Sequence, residues 1–153
     1  MLYVQFNIDN ERYLVATQWV IMLMPLVQVQ PVAKESNAIS GCMIFKGEAV
    51  PVIDVVQLLA GRQARRRMST RIIVISIDGL ATGANKLGLL VEKVSELMRL
   101  EETKFSAISH STDSTPVLGA QAQDEFGVLQ RIEPVNLLSQ IKPETLDCRE
   151  LSV

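Results

Sequence analysis

One pattern occurs twice in the sequence. Val50–Gly61 reads VPVIDVVQLLAG, and Leu129–Gln140 reads LQRIEPVNLLSQ. Ile53 aligns with Ile132, Asp54 with Glu133, Val56 with Val135, Gln57 with Asn136, and Leu58-Leu59 with Leu137-Leu138, at an offset of 79 residues. Each copy follows a hairpin pattern, turned at Lys46-Gly47-Glu48 in the first and at Asp124-Glu125 in the second. A strand–turn–strand–acid–helix unit used twice predicts two similar small β-barrels. Neither half of a 153-residue chain carries enough apolar side chains for a generous core of its own, so the halves are expected to share a buried seam.

The repeat also decides how to read Asp54. A lone aspartate after a strand reads as a catalytic carboxylate. An acid at the same place in both copies reads as a helix start, where a carboxylate accepts backbone N–H bonds and complements the helix dipole, worth about 1 kcal/mol. Val55, Val56, Leu58 and Leu59 then lie on the helix, and Gly61 stands just past its end.

The rest of the chain is mostly strand. Leu2, Val4, Phe6 and Ile8 alternate with polar or amphipathic neighbours, and with Tyr13–Ala16 they form a hairpin across Asp9-Asn10-Glu11. Thr17–Val20 is a short helical turn capped by Thr17, and Val20–Val29 is an edge or bent strand. Lys34–Asn37 is a polar loop, and Ile39–Phe45 and Ala49–Ile53 form the first repeated hairpin, with Pro51 placing the second of these strands at an edge or marking a position whose N–H faces outward. Ile72–Ile77 is a buried strand, and Leu87–Val91 and Val94–Leu100 are two more. Glu101–Thr115 is a loop. Pro116–Gln123 and Phe126–Ile132 form the second hairpin, and a short helix opens at Glu133-Pro134 with Leu137, Leu138 and Ile141 on one face. Short strands at this density with no long helix between them predict an all-β, barrel-like domain.

Composition narrows the partners. The net charge is −2, so no global field draws the chain to nucleic acid or anionic lipid. The N-terminus lacks a signal-peptide pattern, and the apolar stretch Tyr13–Val29 is interrupted by Thr17, Gln18, Pro25 and Gln28, so no membrane insertion is expected. Cys42 and Cys148 stand apart with no CxxC neighbour and are expected to be two reduced thiols in a cytoplasmic protein.

Chemistry-bearing constellations are few. His110 sits in the polar run SHSTDST, where a triad has no separate rigid elements to hold it, and reads as an exposed loop residue. One histidine and two isolated cysteines give no zinc pattern, and Gly79, Gly83 and Gly88 fit no phosphate-binding spacing, so no metal, cofactor or catalytic residue is expected. The run Arg62–Arg71, RQARRRMSTR, is the strongest charge feature; it reads as a solvated basic loop, with a protein-partner contact next and nucleic acid last, since no aromatic is interleaved for base stacking. Trp19, the single tryptophan, reads as a core residue first and as an interface anchor second.

The segments YLVATQWVIMLMPLVQVQPV, GCMIFKGEAVPVIDVVQLLAG, TRIIVISI, KLGLLVEKVSELMRL and VLGAQAQDEFGVLQRIEPVNLL resemble the CheW-like domain, the adaptor of bacterial chemosensory arrays. The most specific stretches are the turn with VPVID and Leu-Leu, and GLLVEKVSEL. The resemblance implies two intertwined five-stranded SH3-like barrels with a shared core and a few short helices over residues 1–143, followed by a loose tail at 144–153. It implies a non-enzymatic scaffold linking the cytoplasmic tips of methyl-accepting chemoreceptors to a CheA-type histidine kinase, through that kinase's own CheW-like regulatory domain. A receptor groove is expected at Val20, Ile21, Leu23, Val91 and Val94 with Lys46 at its rim, and a kinase-binding edge at Val50, Pro51, Val52 and Ile53. Where the family typically places an Arg before the tip Gly and a Glu in the segment matching Val20–Leu23, this chain has Lys46 and Met22. The alternative reading is a nucleic-acid-binding β-barrel using the Arg62–Arg71 loop.

Overall fold

The computed structural model describes residues 1–27, 29, 39–77, 85–106, 118–139 and 148. Among these residues ten strands and two short α-helices follow one another as β1 (Leu2–Ile8), β2 (Glu11–Ala16), β3 (Val20–Pro25), β4 (Ile39–Phe45), β5 (Glu48–Asp54), α1 (Val55–Ala60), β6 (Arg71–Ser76), β7 (Lys86–Val91), β8 (Val94–Arg99), β9 (Leu118–Asp124), β10 (Gly127–Ile132) and α2 (Pro134–Ser139). The polar loop expected at Lys34–Asn37, the Gly79 and Gly83 connection, Ile141 and His110 lie outside the described residues.

The repeat seen in sequence is an exchange of strands in space. One sheet runs β8-β1-β2-β10-β9 and the other β3-β6-β7-β5-β4. Each half of the chain makes a hairpin, a crossing strand, a second hairpin and a helix. Yet the crossing strand and second hairpin of each half join the other half's first hairpin. The joint is equivalent in both sheets: β5 pairs β7 in parallel and β10 pairs β2 in parallel, while the other neighbours are antiparallel. These are two intertwined five-stranded SH3-like barrels.

Burial explains why so many of the strands lack a polar face. Ile72 and Val74 of β6 point into a cluster with Met43, Phe45, Val50 and Val52 inside one barrel, whereas Ile73 and Ile75 point the other way. Tyr3 and Leu14 fill the second barrel with Ala122 and Leu129. Between the two lies the shared seam, where Val4, Phe6 and Val15 of one sheet meet Ile53, Ile73, Leu89 and Val91 of the other, closed by Val56 and Leu137 from the two helices. Successive side chains alternate between two buried layers, so the central strands read as unbroken apolar runs. Trp19, half-buried, packs against both the seam and the second barrel.

Three expectations are corrected. Pro51 does not lie at an edge: β5 is flanked by β4 and β7, Pro51 stands opposite Cys42 of β4, and the ladder with β7 is registered from Val52 onward. The 3-10 turn at Thr17–Trp19 has no side-chain cap; Thr17 Oγ1 instead donates to the Leu2 carbonyl at 3.1 Å. Cys42 and Cys148 are not free thiols. Their Cα atoms lie 6.0 Å apart and the sulfurs are bonded. The pairing joins β4 to a residue 106 positions later, a proximity that spacing alone does not reveal. Within the tail at 144–153 only Cys148 is described, and it is buried.

Candidate functional site

The edge strand β3 carries the longest run of exposed apolar side chains among the described residues. Ile21, Met22 and Leu23 are 41%, 37% and 43% exposed, on both faces of a strand that pairs only with β6 and is bulged between Val20 and Met22. Val20, just before them, is half-buried and packs on the seam, as does Val94 at the start of β8. This is an unusual way to finish a sheet, since soluble edges are normally blunted by charge.

The expected residues fall into three environments. Ile21 and Leu23 are exposed, Val20 and Val94 stand half-buried at the seam, and Lys46 is exposed at the β4–β5 turn with φ 49°. Val91 is a correction: it is wholly buried in the shared core and presents no surface to a partner. So are Val50, Pro51, Val52 and Ile53, all buried in an interior strand. The edge at this end of the sheet is β4, where Ile44 is 42% exposed. Met22 carries no charge, and among the described residues Lys46 makes no ion pair; its ammonium lies 5.4 Å from the centre of the Phe45 ring.

The expected cap Asp54 lies buried, as does a second carboxylate, Glu92, that was unforeseen in the sequence. Asp54 caps α1, accepting from the Gln57 N–H at 3.1 Å, and its other oxygen accepts from Ala64 N–H at 2.9 Å. Gly61, at φ 74°, ends the helix by donating to the Gln57 carbonyl. Burial raises the Asp54 carboxyl against the pull of these backbone bonds. Glu92, between β7 and β8, accepts two bonds from the Arg62 guanidinium, both at 2.9 Å, and one from Arg65 N–H at 2.6 Å. Arg62 also reaches Asp9 in the β1–β2 turn at 2.9 Å, so a single guanidinium ties the two barrels together. Hydrogen bonds from Arg62 hold Glu92 below the usual carboxylate range. The acid of the GLLVEKV motif is thus an anchor for the Arg62–Thr70 loop. The one signal in sequence was its place after Val91.

The repeat is not matched atom for atom. Glu133, the partner of Asp54, bends back to Arg131 Nε at 2.7 Å and lies across Gly119, where an added Cβ would stand 2.5 Å from its Cγ. Arg131 also meets Glu102 at 2.9 Å and lies 4.6 Å from the centre of the Phe105 ring. Glu102, Arg131 and Glu133, with Tyr3 and Trp19, line an open cleft of about 350 Å³ whose two carboxylates both engage Arg131.

The described residues contain no metal-binding cluster of His, Cys, Asp or Glu, and no helix among them is long and apolar enough to cross a membrane. Two exchanged SH3-like barrels with an apolar outer edge define a CheW-like protein: residues 2–142 match the CheW-like domain, and the chain belongs to that family. Among solved structures it is similar to the scaffolding protein TtCheW from Thermoanaerobacter tengcongensis, with a TM-score of 0.76 and 21% identity over 87% of this chain and 84% of that one. No curated protein matches the chain. Family membership supports a scaffold or adaptor role in chemotaxis signalling.

Proposed function

We propose that the protein is a cytoplasmic, non-enzymatic adaptor that couples methyl-accepting chemoreceptors to a CheA-type histidine kinase. The observation that carries this reading is the exposed apolar edge Ile21-Met22-Leu23, bordered at the seam by Val20 and Val94. A receptor's helical hairpin tip lays apolar side chains on that edge, with Lys46 at the far rim of the sheet. The kinase's CheW-like domain meets the β4 edge through Ile44, so that barrel faces barrel. Signal passes as a coupling free energy between the two contacts, and many weak contacts in an array add by avidity.

The test is co-sedimentation of the protein with receptor cytoplasmic fragments and with CheA-type kinase from the same organism. Leu23→Asp is expected to abolish receptor capture and spare kinase capture, and Ile44→Asp the reverse. A wild-type protein that captures neither partner refutes the adaptor reading.

A further inference from the structure

The loop after α1 is fixed from inside and charged outside. Asp54 holds Ala64 and Glu92 holds Arg65 by their backbone N–H groups. The buried Thr70 hydroxyl donates to the Arg65 carbonyl and accepts from Arg67 N–H, and the Arg71 guanidinium donates to the Met68 and Thr70 carbonyls. What this frame displays is Arg65, Arg66 and Arg67, all exposed, and Met68, 93% exposed. Arg12, Arg62 and Arg131 each have a carboxylate partner; Arg66 and Arg67 have no ion pair among the described residues, while Arg65 also helps hold Glu92 charged. A rigid support under an unsatisfied cationic and apolar display is what a partner-binding surface requires.

The loop also lies at the end of the apolar edge. Pro25 of β3 is opposite Arg71 in the β3–β6 register, and Pro25, Leu26, Arg66, Arg67 and Met68 line an open concavity of about 440 Å³. The six residues of β3 span roughly 20 Å, about the length of a four-turn helix. A helix following that edge ends among the arginines.

We propose that this concavity extends the docking edge and takes the acidic flank of an amphipathic helix, whose apolar stripe rests on Ile21, Leu23 and Leu26 while its carboxylates meet Arg66 and Arg67. The inference rests on the adaptor reading only for the partner's identity; it adds the partner's chemistry. Charge complementarity selects the occupant, because the apolar floor favours a helix over a free anion and no aromatic among the described residues lines the concavity for base stacking.

The probe is a synthetic helical peptide of about 20 residues with a leucine stripe flanked on one side by glutamates. A matched peptide has glutamine at those positions, and binding is followed by fluorescence anisotropy at low and moderate salt. Wild type is expected to prefer the glutamate peptide by about tenfold, with the preference lost at moderate salt and in Arg66→Glu/Arg67→Glu. Both substitutions are at exposed side chains, and an unchanged melting curve establishes that the variant is folded. If Leu23→Asp removes binding while the double reversal leaves it intact, the acidic-flank inference fails and the apolar edge stands. Equal binding of both peptides overturns the inference too. If neither peptide binds, both the inference and the docking edge fall. Tighter binding of a single-stranded oligonucleotide than of the glutamate peptide transfers the loop to nucleic acid.

Discussion

Arg62 lies 2.9 Å from each carboxylate oxygen of Glu92 and, with the same guanidinium, 2.9 Å from Asp9 in the other barrel. Glu92 is nearly inaccessible, with 6% of its side chain exposed. Removing Arg62 therefore leaves a buried carboxylate without its main partner. Arg62→Ala is expected to cost about 2–4 kcal/mol, and Glu92→Gln less, because the amide keeps some of the hydrogen bonds. Urea denaturation of the three proteins checks the order.

Acid should weaken the fold in a defined window. Arg12 grips both oxygens of Asp124 at 2.7 and 2.6 Å and, as the main cause, brings its carboxyl down to about 2. Glu92 is also lowered, chiefly by Arg62. The unfolded values lie near 4, so this stabilisation is complete above about pH 4–5 and is lost as pH falls toward 2. After allowance for solvent screening, the Asp124 contribution is about 1–2 kcal/mol. Asp124→Asn is expected to flatten the acid limb of a stability–pH curve measured by chemical denaturation.

Gly88 is a packing requirement of the barrel interior. A Cβ there would stand 3.1 Å from Ile72, 3.2 Å from Val52 and 3.3 Å from Met43. All three neighbours are held in a filled core, so Gly88→Ala is expected to destabilise by about 1–3 kcal/mol. Thermal unfolding measures it. A melting point equal to wild type would show that the neighbours yield freely.

Core and edge substitutions should separate. Val52 is fully buried in an interior strand, so Val52→Asp is expected to prevent folding and cannot report on a partner. Ile44→Asp, on the exposed side of the β4 edge, is expected to fold with a melting point within a few degrees of wild type. Circular dichroism of the two variants side by side tests the assignment of inside and outside.

The Cys42–Cys148 bond closes a loop of 106 residues, for which chain entropy predicts up to about 4–5 kcal/mol. Cys148→Ser is expected to lower the melting point, and added reductant should bring wild type down to the variant's value. Free thiols in wild-type protein under non-reducing conditions, measured by alkylation, would count against the bond.

Much of the fold was legible because strand periodicity and turn chemistry are local. The hairpin at Lys46-Gly47-Glu48, the cap at Asp54 and the stop at Gly61 all follow from neighbours in the chain. Less of the site was legible. Val91 and Ile21 are both apolar strand residues, and nothing near either one in sequence says that the first is enclosed by two sheets and the second left bare. The edge reading of Pro51 failed for the same reason: a proline marks a missing donor, but whether its strand has neighbours on both sides is decided by which strands pair in the sheet.

The sequence by itself determined the repeat, the alternation of strands and turns, the helix starts and the need for a common core, since these depend on contacts within a few residues or on the total apolar content. Only the tertiary structure decided which hairpin joined which sheet, that β3 and β4 became edges, that Glu92 clasped Arg62, and that two cysteines 106 positions apart came together. Those outcomes depend on the exchange of strands between the halves, and the free energy of that exchange is spread over long-range packing that no short window of residues contains.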